Sequence, residues 1–271
     1  SDFPVSAKKM ADFYQKSRGA TIDGVIAINA SVLEKVLSVI GPVENAKYNV
    51  VLTAQNAITT LQTKVEKDYD KEKNTPKAII GDTLSDMMAA LPALKTRQTL
   101  QLLTTAHTAL QNKEIQIYME DSDIEKSLRE FGWTGEILST MADQDYLLVV
   151  NANLQGQKSD AKISQSIEHQ AVVEEDGTVF DTVVIKRRHS GAAGEEFYGV
   201  PNISYIRVYA PEGAELIEAG GFSYPQEDVF RVSPKWYNDD SDVINLETEV
   251  GVDSKTGTRF YRGFGKTIFG N

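Results

Sequence analysis

"DGVIAINASVLEKVLSVIGPV", residues 23–43, changes its hydrophobic period partway along. Residues 25–28 are consecutively apolar, which predicts a short buried strand. The apolar residues that follow return at intervals of three and four, as on one face of a helix. These residues are Leu33, Val36, Leu37 and Ile40. The stretch therefore predicts a strand followed directly by a short amphipathic helix.

The same stretch carries signals for both ends of that helix. Ser31 and Glu34 have the spacing of a capping box, which predicts that the helix starts at Ser31. Gly41 suits the left-handed residue after a helix, and Pro42 cannot continue one. A strand, a turn, a helix and an abrupt stop together predict a β-α unit packed into an α/β layer.

Helical patterns dominate the residues that follow. We expect one helix after Thr53, and another opening at Thr75 with Pro76 in its first turn. A third is expected over residues 96–112, with three leucines facing inward: Leu100, Leu103 and Leu110. Residues 114–120 read as a strand before a short helix capped by Asp121. Residues 1–140 are thus predicted to form a helix-rich α/β domain.

The period changes to two in the second half of the chain. Residues 145–154 predict a strand, and residues 161–189 predict a long hairpin that turns at Asp176-Gly177. Short strands separated by Gly, Pro and Asp continue to the end, which favours an antiparallel β-sandwich. The predicted fold is α+β overall, with a β-sandwich over residues 141–271 that is truncated at its C-terminal end.

Composition excludes several classes of function. The chain contains no cysteine, which rules out disulfides, thiolate metal sites and a cysteine nucleophile. The net charge of −11 is uneven, because residues 1–140 carry 16 basic and 18 acidic side chains and residues 141–271 carry 12 and 21. A nucleic-acid-binding protein needs a basic face, so no nucleic-acid partner is expected.

Six segments, spread over most of the chain, resemble the bacterial domain-of-unknown-function family four-zero-one-two. They read SDFPVSAKKMADFY, DGVIAINASVLEKVLSVIGPV, VEKDYDKEKNTPKAII, FGWTGEI, DYLLVVNANLQGQKSDAKI and ISYIRVYAPEGAELIEAGGF. Members of that family are typically membrane-anchored envelope proteins. The resemblance implies an extracytoplasmic location at the cell envelope or cell surface, with the membrane anchor in a longer parent protein. The absence of an initial Met agrees with that expectation.

The first half also resembles, more distantly, the LytR-CpsA-Psr family of glycopolymer transferases. The likeness rests on the strand-helix-Gly-Pro unit of residues 23–43 and on the order of helices and strand after it. It implies a cell-wall glycopolymer or polyprenyl phosphate as partner. In that family a charged stretch, corresponding to residues 64–77 here, holds a pyrophosphate with arginines and an aspartate. The present stretch has lysines and no arginine, and lysine lacks the planar fork that grips phosphate in two places.

The charged stretch supplies the candidate residues for an anionic ligand. They are Lys64, Lys67, Asp68, Asp70, Lys71 and Lys77. If the helix continued through them, the first three lysines would share one face. Because acidic residues alternate with the lysines, a solvated and salt-bridged helix end is the other interpretation.

Metal and catalytic signals are sparse in the sequence. Asp239, Asp240 and Asp242 could offer oxygen ligands to Ca²⁺, although their spacing is not that of a calcium loop and a turn is favoured. His169 and His189 have no acidic residue at metal-ligand spacing in the sequence, so no zinc site is expected. No nucleophile elbow, metalloprotease motif, P-loop or dinucleotide fingerprint occurs, and neither catalytic residues nor a cofactor are assigned.

Three hypotheses follow for the function. The leading one is a non-catalytic binding or structural module of the cell envelope. The alternative is a divergent phosphotransferase acting on polyprenyl-pyrophosphate-linked glycopolymers through the lysine stretch. The third is an adhesive surface protein that binds through a strand edge or aromatic patch.

Overall fold

The computed structural model describes residues 2–69, 71–72, 74–138, 144–154, 156–211 and 213–221, and the backbone of 250–252 and 259–267. The chain divides into two compact units, Ser1–Ile137 and Leu138–Asn271. It is 40% helix and 25% strand, with small antiparallel sheets, so the mixed α+β class is confirmed.

Unit 1 contains six α-helices and four short strands in its described residues. The helices are α1 (Phe3–Arg18), α2 (Ala30–Ile40), α3 (Ala57–Glu66), α4 (Ala78–Ala90), α5 (Thr96–Gln111) and α6 (Ser122–Glu130). The strands are β1 (Gly24–Ile28), β2 (Val43–Asn45), β3 (Val50–Leu52) and β4 (Ile115–Met119).

The predicted strand at the start of the chain pairs with the strand predicted near residue 115. β1 and β4 are antiparallel over their whole length, from Gly24 opposite Met119 to Ile28 opposite Ile115. A Cβ added to Gly24 would clash with the carbonyl oxygen of Tyr118, so glycine permits this close approach of the two strands. Helix α1 packs against both strands. The strand part of the predicted β-α unit is therefore confirmed.

A small hydrophobic core forms where α2 meets the hairpin of β2 and β3. Leu37 is 2% exposed and Leu52 is fully buried, and both pack with Val43 and Ala57. Gly41 accepts the positive φ of 90° that lets the chain leave the helix and turn back as β2. The hairpin thus covers the apolar face that the sequence predicted for α2.

The predicted start of α2 is wrong by two residues. Asn29 caps the helix, its side chain accepting a hydrogen bond from the Ser31 backbone N–H at 3.4 Å. The Ser31 hydroxyl instead donates to Glu114, which is distant in sequence and close in space. The Ser31 hydroxyl therefore makes a tertiary hydrogen bond, and it does not cap the helix as its spacing with Glu34 suggested.

Two of the three predicted inward leucines of α5 are also wrong. Leu100 is 61% exposed and Leu103 is 62% exposed, whereas Ala109 on another side of the helix is fully buried. The reason is the pair of neighbours that α5 acquires, because it packs against both α2 and β4. Its small residues permit that approach, and two of the predicted leucines are left facing outward.

Unit 2 is built from antiparallel strands. They are β5 (Leu148–Asn153), β6 (Ile163–Val173), β7 (Val179–His189), β8 (Asn202–Ala210), β9 (Val250–Val252) and β10 (Arg259–Thr267). One sheet has the order β5-β8-β10-β9, and β6 pairs with β7 as a separate hairpin. The sandwich arrangement of these sheets stays a prediction.

The long hairpin is confirmed, but its turn differs from the predicted two-residue type. Val173 and Val179 form the last pair of the ladder, so the loop comprises residues 174–178. Glu174 N–H donates to the Thr178 carbonyl at 2.8 Å, and Gly177 adopts a φ of 85°. The longer loop still needs glycine at its left-handed position.

Candidate ligand-binding groove

A groove with a volume of about 450 Å³ lies between α2 and α5. Six of its seven lining residues carry hydroxyl, amide or ammonium groups, and the seventh is a valine, but most of the surface that these residues expose to the groove is apolar. The lining residues are Lys35, Ser38 and Val39 of α2 and Gln101, Thr104, Thr105 and Thr108 of α5. Two packed helices therefore supply both walls.

Hydrogen bonds fix the two walls at opposite ends of the groove. Near the end of α2, the Val39 carbonyl accepts a hydrogen bond from Gln98 Nε2, in the first turn of α5, at 3.1 Å. Near the start of α2, Glu114 just beyond α5 accepts from Lys35 Nζ at 2.6 Å and from the Ser31 hydroxyl at 3.2 Å. The helices thus run antiparallel, and hydrogen bonds join the two walls at each end of the groove.

The pair of Lys35 and Glu114 places a fixed charge beside the groove. The Lys35 ammonium lowers the pKa of Glu114 below its ordinary value, and the Ser31 hydroxyl adds to the effect. The Lys35 side chain is 42% exposed, while that of Glu114 is 19% exposed. Lys35 donates to both carboxylate oxygens of Glu114, so it can offer its one remaining N–H donor to a ligand while Glu114 holds it in place.

The hydroxyl groups of the groove are oriented by their own helices. Ser38 donates to the Glu34 carbonyl, Thr104 to the Leu100 carbonyl and Thr105 to the Gln101 carbonyl, each at 2.9 Å. Since the hydroxyl hydrogens are engaged, the oxygens present lone pairs as acceptors. Lys35 and the Gln101 amide add donors, so the groove offers both kinds of hydrogen-bonding group.

An apolar surface borders the hydroxyl-lined wall. Leu100 lies one helical turn before Thr104 on α5, and Leu103 lies beside it, both of them largely exposed. A ligand that filled the groove and extended over these leucines would meet polar and apolar surface on the same helix.

The lysine stretch lies elsewhere and is not aligned by a continuous helix. Helix α3 ends at Glu66, and Lys67 as its C-cap residue has left helical geometry. Lys64 forms an ion pair with Asp68 at 3.6 Å, while Lys71 and Lys77 follow in turns before α4. None of these residues is among those that line the groove. The sequence therefore placed its anionic-ligand site in a different part of unit 1.

Some predicted site residues fall outside the part of the chain that the structure describes. Asp70 of the lysine stretch is one of them, and so are the three acidic residues considered for Ca²⁺, Asp239, Asp240 and Asp242. Their predicted roles stay predictions.

Sequence reasoning missed the groove although α5 carries a readable signal. Gln101, Thr104, Thr105 and Thr108 recur at three- and four-residue intervals, which predicts a polar stripe along one side of the helix. A polar stripe ordinarily faces water, so by itself it does not indicate a binding site until the partner helix is known. Only the contact with α2 converts this stripe into a wall.

The first part of the chain is similar to a known protein family. Residues 1–65 match the family described as Protein of unknown function (DUF4012). The matched residues include β1 and the α2 wall of the groove but end before α5. No curated protein and no solved structure matches the chain. Among the described helices, none has both the length and the apolar character required to cross a membrane.

Proposed function

We propose that the protein is a non-catalytic module of the bacterial cell envelope, located outside the cytoplasm, that binds a cell-wall glycopolymer in the groove between α2 and α5. The observation that carries the proposal is the groove itself. It has oriented hydroxyl acceptors and ammonium and amide donors, and hydrogen bonds join its two walls.

Carbohydrate is the ligand class that this chemistry suits. Sugar hydroxyls both donate and accept hydrogen bonds, so they can match the Thr104 and Thr105 oxygens as well as Lys35 and Gln101. The hydrogen bonds at the ends of the walls already order the groove, which lowers the conformational cost of binding. Leu100 and Leu103 add apolar surface for the C–H faces of a sugar or for an attached prenyl chain.

The envelope location rests on the similarity of residues 1–65 to the family of unknown function and on the membrane anchor expected in a longer parent. In this proposal unit 2 is an antiparallel β-sandwich that adds a second surface for envelope contacts. Its four-stranded antiparallel sheet and its long hairpin support that arrangement.

Titration of the purified protein with glycans tests the proposal. The panel contains peptidoglycan oligosaccharides and poly(glycerol phosphate), and binding is followed by calorimetry. Thr105→Val and Gln101→Ala should each weaken binding by roughly threefold to tenfold, because each removes a hydrogen-bonding group from the groove.

A matched control lies on the same helix. The Thr99 hydroxyl donates to the Lys95 carbonyl at 3.3 Å, much as Thr105 donates to Gln101, but Thr99 is not among the groove residues. Thr99→Val should leave glycan affinity unchanged. Equal losses in Thr99→Val and Thr105→Val, or no binding of any glycan by the native protein, would refute the proposal.

The second candidate is a divergent LytR-CpsA-Psr-like phosphotransferase acting on polyprenyl-pyrophosphate-linked glycopolymers. It is favoured by the pairing of β1 with β4 and by the strand-helix order of β1 and α2, which the resemblance requires. Release of polyprenyl phosphate from a lipid-linked oligosaccharide, lost in Lys64→Ala and Lys67→Ala but kept in Thr105→Val, would establish this activity in place of simple binding.

A further inference from the structure

Three side chains of unit 2, from three separate segments, bring potential metal-binding atoms together. Asp145 precedes β5, His169 lies on β6 and Asp181 lies on β7. His169 Nε2 is 3.1 Å from Asp181 Oδ1 and 3.9 Å from Asp145 Oδ2. One ligand atom from each residue lies within 4.8 Å of the other two.

The hairpin register explains why two of these side chains meet. His169 is paired with Val183 and Asp181 with Ala171, so His169 and Asp181 are diagonal neighbours on one face of the hairpin. Ala171, which lies directly opposite Asp181 on that face, has a small side chain that leaves room for the approach. The ladder therefore determines the short distance between the imidazole and the first carboxylate.

The third side chain is oriented by its own backbone. Asp145 Oδ1 accepts a hydrogen bond from the Tyr146 N–H at 2.7 Å, which leaves Oδ2 as the oxygen that lies nearer to His169. A second contact joins the strand after Asp145 to the same hairpin face, because Asn151 of β5 donates to Gln165 of β6 at 2.9 Å. The hydrogen bond between Asn151 and Gln165 therefore helps to keep the segment that carries Asp145 close to the hairpin.

We propose that Asp145, His169 and Asp181 form a binding site for a divalent transition-metal ion, with Zn²⁺ as the best fit. In a tetrahedral zinc site with bonds of about 2.0–2.1 Å, neighbouring ligand atoms lie about 3.3 Å apart. The Nε2–Oδ1 distance is already close to that value, and a shift of under 1 Å would bring Asp145 Oδ2 equally near to His169 Nε2. The ligand atoms of the two aspartates lie within 4.8 Å of each other.

The donor set and the exposure of the side chains point to the same class of ion. One imidazole nitrogen with two carboxylate oxygens suits Zn²⁺ better than Ca²⁺ or Mg²⁺, which prefer oxygen ligands alone. The side chains of His169, Asp181 and Asp145 are 28%, 33% and 54% exposed, so an ion can enter from solvent and keep a water as its fourth ligand. Bound there, the ion links the segment before β5 to the β6–β7 hairpin.

Calorimetric titration of the tag-free full chain with ZnCl₂ at pH 7.5 tests the site. Native protein should bind one ion at this site, and His169→Gln should abolish that binding. Asp181→Asn and Asp145→Asn should each lower the affinity at least about tenfold.

The same hairpin provides a matched control. Glu168, next to His169 on the opposite face of β6, forms an ion pair with Lys186 at 2.6 Å and cannot reach the proposed ion. Glu168→Gln removes one acidic charge from the same strand and should leave Zn²⁺ affinity unchanged. An equal loss in Glu168→Gln would show general electrostatic attraction and overturn the proposal.

A spectroscopic measurement separates a metal site from a simple ion pair of the histidine with two aspartates. Co²⁺ bound to the native protein should show the strong visible absorption of a four-coordinate ion, and Asp145→Asn should lose it. Asp145 lies outside the hairpin, so this variant stays informative even if His169→Gln unfolds the hairpin. No saturable binding of Zn²⁺ or Co²⁺ by the native protein would overturn the proposal and leave an ion pair only.

Discussion

Helices α2 and α5 carry similar leucine patterns but differ in what covers them. Leu37 of α2 is 2% exposed, whereas Leu100 of α5 is 61% exposed. The β2–β3 hairpin packs on Leu37 through Val43 and Leu52. Within the described part of the chain, nothing comparable covers Leu100.

The difference shows what a hydrophobic pattern determines and what it leaves open. Apolar residues at intervals of three and four determine that a helix has an apolar face. Whether that face enters a core depends on which segment the chain brings against it. After α2, the chain turns at Gly41 and returns at once as β2, while α5 is held by its other side against α2 and β4.

The largest expected effect comes from truncating the covered leucine. Leu37→Ala should lower the free energy of unfolding by about 2–5 kcal/mol, because it removes buried methyl groups and leaves a cavity beside Val43 and Leu52. Urea denaturation followed by circular dichroism measures the change. A loss below about 1 kcal/mol would show that the α2 core is not the main hydrophobic centre of unit 1.

Local signals were sufficient to predict some elements of this region, but not the hairpin of β2 and β3. The sequence predicted the strand at residues 25–28, and a helix over residues 96–112 that is observed as α5. It failed at Ser31, whose hydroxyl contacts Glu114, because that contact joins residues far apart in the chain. It failed at Leu100 for the same reason, since the position of α5 depends on α2 and β4.

The candidate sites show the same limit more strongly. The groove needs α2 and α5 side by side, and the proposed metal site needs three segments whose spacing in the sequence follows no metal-binding motif. In the sequence, His169 has no acidic residue at metal-ligand spacing, so a zinc site was not expected. The hairpin register then places Asp181 next to it. A site of this kind cannot be predicted from the local spacing of residues in the sequence.

An intermediate effect is expected where α4 is attached by polar contacts. Asp82 of α4 accepts hydrogen bonds from Lys47 Nζ at 2.6 Å and from the Tyr48 hydroxyl at 2.7 Å. Asp82→Asn should destabilise the protein less than Leu37→Ala does, because the ion pair is exposed to solvent and screened by salt. Urea denaturation at low and high salt measures it, and a salt-independent loss would contradict this account.

The pH dependence of that contact has a definite sign. Hydrogen bonds from Lys47 and then Tyr48 lower the pKa of Asp82 below its ordinary 3.8. The stabilisation is therefore complete above about pH 4 and is lost as the pH falls further. The hydrogen bond to Asp82 also raises the pKa of Lys47 above 10.5, so that contribution is lost as the pH rises beyond this value. The difference between native and Asp82→Asn protein should shrink at both extremes.

The smallest effect on stability should come from truncating the exposed leucine of α5, Leu100. Leu100→Ala removes the same atoms as Leu37→Ala, but from a side chain that is already 61% exposed. Alanine also has the highest helix propensity, so the change in the free energy of unfolding should stay within about 0.5 kcal/mol. Urea denaturation of both single variants and of the double variant measures it, and the two changes should add because Leu100 is not among the residues of the core around Leu37. A loss above about 1 kcal/mol for Leu100→Ala would mean that this leucine is covered in solution, and the contrast between α2 and α5 would no longer hold.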